Sequence, residues 1–463
     1  MGNVRALTSL RFIAALVVFL HHYVAFGGFR HYGDKGFASL YDSFLGRVSY
    51  EMRYGVTLFF VLSGFLLAAR YFDTIFTKVS FRDYWIKRIA RIMPLYWSLL
   101  TMVMLTCLFA GDWVNRNSTW PYWVDDRAGY LLQWWPIYYT VTQGFFGKIK
   151  FTGMETGWSL TVEECFYLVL PLVIISIRWA WKREMKDLWR YAIMAGALTG
   201  FTLLLYQLGR TGYSMRGKLP DPGVYYTEGT GPFYLFDQMF AEGASPLKVF
   251  GAYLRSAYLF RTWGKFEIQD WQMFTILGRF SDFAIGIFFG VLYLKTNNWF
   301  LKRGWRADVA IAVCIVGVLI TCDQIARNGG MQDKDGFALN SLNAFLSAII
   351  IYCLCSRRSM IAKGLAWRPF VYLGEVSFAL YLIHRNVMVN WLYGWVDGHG
   401  WNFLLSFTLI YAVFTLLAVL CYEIIERPSQ YFILEKTIGA PKGRRPTVLR
   451  WITGRRRALP AAA

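Results

Sequence analysis

Apolar residues run along this chain in long blocks, and polar residues gather between them. A helix that crosses a bilayer needs about 20 mostly apolar residues. Ten stretches meet that requirement: 8–27, 54–72, 92–111, 160–180, 191–209, 272–294, 307–323, 340–356, 370–395 and 402–424. The predicted fold class is therefore all-α, a polytopic membrane helix bundle of about ten transmembrane helices.

Composition narrows the class further. Of 463 residues, 56% are apolar and 17% charged, against about 25% charged in soluble domains. Disordered and disulfide-scaffold chains are excluded, and a soluble enzyme is not expected, because a soluble surface could not absorb that much apolar area. The seven cysteines lie in apolar stretches without a CxxC and read as small buried apolar residues. The five histidines (His21, His22, His31, His384 and His399) lack HxxxH and HExxH spacing, so no metal is expected.

The formal net charge of +20 changes the picture in one respect: it sets an orientation. Segments 73–91, 181–190, 295–306 and 357–368 are compact and basic, as is the tail that ends in Arg455, Arg456 and Arg457. Loops 28–53, 112–159, 210–271, 324–339 and 396–401 are mostly longer and mix signs. Cytoplasmic loops collect Lys and Arg, which places both termini on the cytoplasmic side and leaves nucleic acid out as a partner. Arg5 and the apolar run from Phe12 to Leu20 resemble a signal peptide. No A-x-A site follows, so an uncleaved first helix is expected.

Ionisable side chains inside spanning helices are costly and are usually functional. Arg11 and His22 are eleven residues apart, which is about three turns, so they share one face about 16 Å apart along the axis. They would line one groove, a cation toward the inner side and an imidazole toward the outer. The same spacing fits an arginine that reaches the interface and a histidine satisfied by a neighbouring helix. Arg88 and Arg91 share a face in KRIARIMP and suit phosphate oxygens, although a basic inner loop explains them equally. In GWSLTVEECFYLVLP, Ser159 reads as a helix N-cap, with Glu163 and Glu164 four and five residues further on. The two carboxylates point about 100° apart, so one of them would face the bundle. Arg279 with Asp282, His384 with Arg385, and Glu423 with Glu426 read as structural intramembrane pairs. The aromatic residues of 112–139 form either an interfacial belt or a platform for sugar rings.

These residues also carry a resemblance. The chain resembles the acyltransferase-3 family of polytopic membrane acyltransferases from Leu7 to about Pro428. The resemblance rests on TSLRFIAALVVFLHH, LFFVLSGFLLA, KRIARIMPLYW, WSLTVEECFYLVLP, GRFSDFAIGIFFG and GEVSFALYLIH, in that order. In the first, Arg11 and His22 fit the family's spacing and His21 does not. The resemblance implies an O-acyltransferase domain at 1–428, with 210–271 as a long extracytoplasmic loop and 429–463 as a basic cytoplasmic tail. The extracytoplasmic SGNH domain that some members carry is expected to be absent.

The expected activity is transfer of an acyl group, in the first instance acetyl, from acyl-CoA to a hydroxyl of a carbohydrate acceptor at the outer face of a bacterial inner membrane. A surface polysaccharide or exopolysaccharide is the first expectation, and a small glycoside or other non-polymeric hydroxyl is an alternative. His22 would be the general base, with Glu164 or Glu163 orienting it. Arg88, Arg91 and Arg11 would hold the donor. Trp158, Ser159, Tyr167 and His384 are expected on the substrate. An acyl-histidine intermediate stays open. The rival from another class is a glycan or lipid-linked sugar transporter or flippase, whose expected mark is a pair of broken helices in two matching halves. No such halves are visible.

Overall fold

In a computed structural model, residues 4–27, 43–118, 125–145, 149–181, 187–216, 274–296, 299–328, 334–385 and 402–439 are described, with positions 392, 395, 396 and 399. Among them the chain is a helical bundle, as expected for a polytopic membrane protein. The helices are α1 (Val4–His22), α2 (Phe44–Tyr50), α3 (Tyr54–Tyr71), α4 (Phe81–Phe109), α5 (Gly111–Asn117), α6 (Arg127–Gln133), α7 (Trp135–Tyr139), α8 (Gly157–Trp181), α9 (Asp187–Arg216), α10 (Ile276–Lys295), α11 (Gly304–Arg327), α12 (Lys334–Leu354), α13 (Met360–Leu365), α14 (Arg368–Ile383), α15 (Phe403–Cys421) and α16 (Arg427–Ile438). Each of the ten predicted stretches falls on one of them. Seven helical segments among the described residues are long and apolar enough to cross a membrane, and α9 and α12 contain shorter apolar segments.

The outer surface explains the composition. Exposed apolar side chains recur every three or four residues: Leu168, Leu172, Ile175 and Trp179 on α8, and Val309, Val313, Val316 and Ile320 on α11. Val413, Leu416, Leu420 and Ile424 continue the pattern from α15 into the turn after it. Such stripes would be a liability in water and are the required surface in lipid.

Inside, small residues let backbones touch. A Cβ on Gly286 would stand 2.2 Å from the carbonyl oxygen of Val61, and one on Gly290 would stand 2.6 Å from that of Phe65. The Gly286-x-x-x-Gly290 ridge of α10 therefore seats directly on α3, as small residues do wherever helices associate within lipid. Buried polar groups tie the same pair. Arg279 and Asp282 form an ion pair of 3.1 Å, and Arg279 donates to Thr57 Oγ1 at 2.9 Å. Thr57 in turn donates to Asn340 of α12 at 2.8 Å. The Arg279–Asp282 pair expected from its spacing is thus present and linked to α3 through Thr57.

Several helix ends differ from the sequence reading. The ninth stretch was expected to run to 395, but α14 stops at Ile383 with His384 as its C-cap. The tenth was expected to end near 424. Instead a π-helical turn, Tyr422–Glu426, carries the chain into α16. Pro428 lies in the first turn of α16, where its missing N–H costs nothing. Ser159 is not an N-cap: α8 starts at Gly157, and the Ser159 hydroxyl donates to the Thr156 carbonyl at 2.8 Å.

The aromatic segment divides. Trp134 and Tyr138 are buried and Trp135 is exposed, while Trp120, Tyr122 and Trp123 lie outside the described residues. Of loop 210–271, residues 210–216 continue α9 and the rest lies outside the described residues, as does the tail beyond 439.

Candidate active site

Two helices far apart in sequence lie side by side and build one end of the site. α1 and α14 run parallel, with Gly374 against the Thr8 backbone near their starts and His22 against His384 at their ends. His22 Nδ1 is 2.9 Å from His384 Nε2. His384 Nδ1 lies 2.9 Å from the Tyr381 carbonyl and 3.2 Å from that of Leu380. Those carbonyls belong to the last turn of α14, and that of Leu380 also accepts the backbone N–H of His384 at 3.2 Å. His21, whose ring centre lies 5.0 Å from that of His22, is committed to the Tyr50 carbonyl. Beside the pair, Arg385 forms a buried ion pair of 2.5 Å with Glu155.

Deeper in the bundle is a cavity of about 100 Å³. Its polar lining comes from five helices: Arg11 of α1, Ser63 of α3, Arg88 and Arg91 of α4, Ser159, Glu163 and Tyr167 of α8, and Ser377 and Tyr381 of α14. Glu163 accepts from Ser63 at 3.1 Å and from the Tyr167 hydroxyl. The Arg88 guanidinium lies 5.7 Å from the Tyr167 ring centre and 5.9 Å from that of Tyr71, and its buried Nε has no hydrogen-bond partner among the described residues. Arg11 feels the like charges of Arg91 and Arg88. Three guanidinium groups thus converge on one space with a single lining carboxylate, Glu163. An anionic ligand would relieve that excess, and arginine forks are suited to phosphate oxygens.

The two ends are joined by Tyr381. Its hydroxyl lies 2.6 Å from Ser159 Oγ. Ser159 already donates to Thr156, so the tyrosine donates to the serine. The ring centre of Tyr381 is 5.8 Å from that of His384. Arg11, which lines the cavity, and His22, which does not, are therefore connected through Tyr381 and His384 on one face of α14.

The structure brings Arg11, Arg88, Arg91, Glu163, Ser159 and Tyr167 together around the cavity, and sets His384 directly on His22. It does not place a carboxylate on His22. Glu163 is held by Ser63 and Tyr167, and Oε1 of Glu164 is buried with no hydrogen-bond partner among the described residues. The physical reason is that the Glu163 side of α8 faces α3 and α4, whereas His22 ends against α14. Trp158 packs edge-on against Phe274, with ring centres 4.8 Å apart. Sequence reasoning missed Tyr381, Ser377 and Ser63. A signal for the first two was present: Ser377, Tyr381 and His384 are spaced i, i+4, i+7, a polar stripe on an otherwise apolar helix. Glu426, buried after the π-helical turn, also lies within the electrostatic reach of Arg91 and Arg11.

Comparison with known families matches residues 4–423 to the acyltransferase-3 family, described as "Acyltransferase domain". This chain belongs to that family. Among curated relatives, it is 24% identical over 386 residues to a Bacillus subtilis (strain 168) protein named "Putative peptidoglycan O-acetyltransferase YrhL", covering 81% of this chain and 50% of the relative. It is 23% identical over 393 residues to "O-acetyltransferase OatA" of Staphylococcus aureus (strain NCTC 8325 / PS 47), covering 81% of this chain and 52% of the relative. The chain thus spans about half the length of these relatives. No solved structure gives a significant match.

Proposed function

We propose that the chain is a membrane O-acyltransferase that moves an acyl group, in the first instance acetyl, from acyl-CoA to a carbohydrate hydroxyl. The observation that carries this is the polar path through the bundle. Arg11, Arg88 and Arg91 stand at one end of it, His22 against His384 at the other, and Tyr381 with Ser159 between them. The arginines would hold the anionic donor. His22 would take the proton of the acceptor hydroxyl as its oxygen attacks the thioester carbon. The C–S bond then breaks, and the proton passes to the departing thiolate.

The basic loops support a donor side in the cytoplasm and a histidine end toward the outer face of a bacterial inner membrane. The acceptor is then a surface glycan. The name of the Bacillus subtilis relative supports peptidoglycan beside the exopolysaccharide expected from the sequence. The test is release of CoA thiol from acetyl-CoA by the protein in lipid nanodiscs, with and without a glycan acceptor, for wild type and His22→Ala. Acceptor-dependent release that His22→Ala abolishes is the expected result. A protein that leaves the thioester intact under every condition is instead a transporter. Mass spectrometry of surface glycans from a deletion strain then identifies the acceptor.

A further inference from the structure

The contacts of His384 carry information about where hydrogens lie on two rings. Backbone carbonyl oxygens only accept hydrogen bonds. His384 Nδ1 faces two of them, from Tyr381 at 2.9 Å and Leu380 at 3.2 Å, so this nitrogen carries the hydrogen. A neutral imidazole has one N–H, which leaves a lone pair on His384 Nε2. That lone pair points at His22 Nδ1, 2.9 Å away. With both rings neutral, only His22 can donate across this contact. Its single hydrogen is then on Nδ1.

We infer that His384 is a positioning residue that fixes the tautomer of His22, holding its hydrogen on Nδ1 and its lone pair on Nε2. This rests on the acyltransferase reading, in which Nε2 is the atom that takes the acceptor's proton. The arrangement acts again after that step. When Nε2 gains the proton, the Nδ1–H···Nε2 bond becomes charge-assisted and strengthens. The last-turn carbonyls of α14, the negative end of that helix, support the charge through His384. A carboxylate on a catalytic histidine does the same two jobs. Here an imidazole anchored to a helix end does them, in a bundle whose nearby acid, Glu155, is committed to Arg385.

The test reads the tautomer directly. The full chain is labelled with 15N-histidine and studied in lipid nanodiscs by solid-state NMR. With five histidines in the sequence, the His22 signals are assigned by their loss in His22→Gln. A hydrogen on Nδ1 and a bare Nε2 are expected; a hydrogen on Nε2 of His22 overturns the inference. Two variants add a kinetic readout. His384→Gln keeps an acceptor and should hold kcat within about tenfold. His384→Lys offers only donors and should lower kcat by about 10⁴-fold, the scale of a wrong histidine tautomer, with KM for acetyl-CoA unchanged. Equal losses in the two variants, at matched protein levels, also overturn it. Full activity in His22→Ala would instead sink the acyltransferase mechanism, whatever the NMR shows.

Discussion

Gly374 lies directly against the carbonyl oxygen of Thr8: a methyl group on its Cα would stand 2.0 Å from that oxygen. This contact sets how deeply α14 seats against α1, and so whether His384 meets His22. Gly374→Val is expected to push the helices apart at a cost of about 1–3 kcal/mol. Thermal unfolding in detergent should show the lower midpoint, and CoA release should fall at least tenfold in the protein that folds.

The cavity arginines are expected to act on binding. Arg88→Lys and Arg91→Lys keep the charge but lose the fork geometry that pairs with phosphate oxygens. Each should raise KM for acetyl-CoA about tenfold, about 1.4 kcal/mol, and leave kcat nearly unchanged. Steady-state kinetics at saturating acceptor measures the split. A fall in kcat with an unaltered KM would move these residues out of the donor site.

Glu163 is the lining carboxylate among three arginines. Glu163→Gln keeps an acceptor for Ser63 and Tyr167 while removing a negative charge that opposes an anionic donor. KM for acetyl-CoA should therefore fall a few-fold, and the effect should shrink as salt is raised. A rise in KM would show that Glu163 serves the donor site by holding Arg88 and Arg91 in place.

The Arg279–Asp282 pair should behave as a structural element. Removing either partner alone, by Arg279→Met or Asp282→Leu, leaves a buried charge and should cost about 3–5 kcal/mol. The double substitution should recover much of that loss. Thermal stability of the three variants, read as a double-mutant cycle, checks the coupling.

Much of the architecture was legible in the sequence because lipid imposes a simple rule on it. Blocks of apolar residues long enough to span a bilayer appear as helices. The eleven-residue spacing of Arg11 and His22 led to one interior face of α1, since that periodicity belongs to a single helix. What the sequence concealed is what depends on a second helix. His22 and His384 are separated by 362 positions, and no local pattern reports that α1 and α14 are neighbours. The carboxylate expected on His22 fails for the same reason: Glu163 and Glu164 stand on α8, and their spacing does not report which helix that face meets. Helix ends were also obscured. His384 closes α14 in the middle of an apolar run, and the turn at Tyr422–Glu426 carries the chain past a proline that reads as a stop.

The long separation between His22 and His384 has a consequence for how the protein comes into being. Ribosomal synthesis delivers His22 to the membrane early and His384 after most of the described helices. Throughout that interval the imidazole on α1 lacks the neighbour that orients it. The histidine pair is thus a late assembly, closed only when α14 docks on α1.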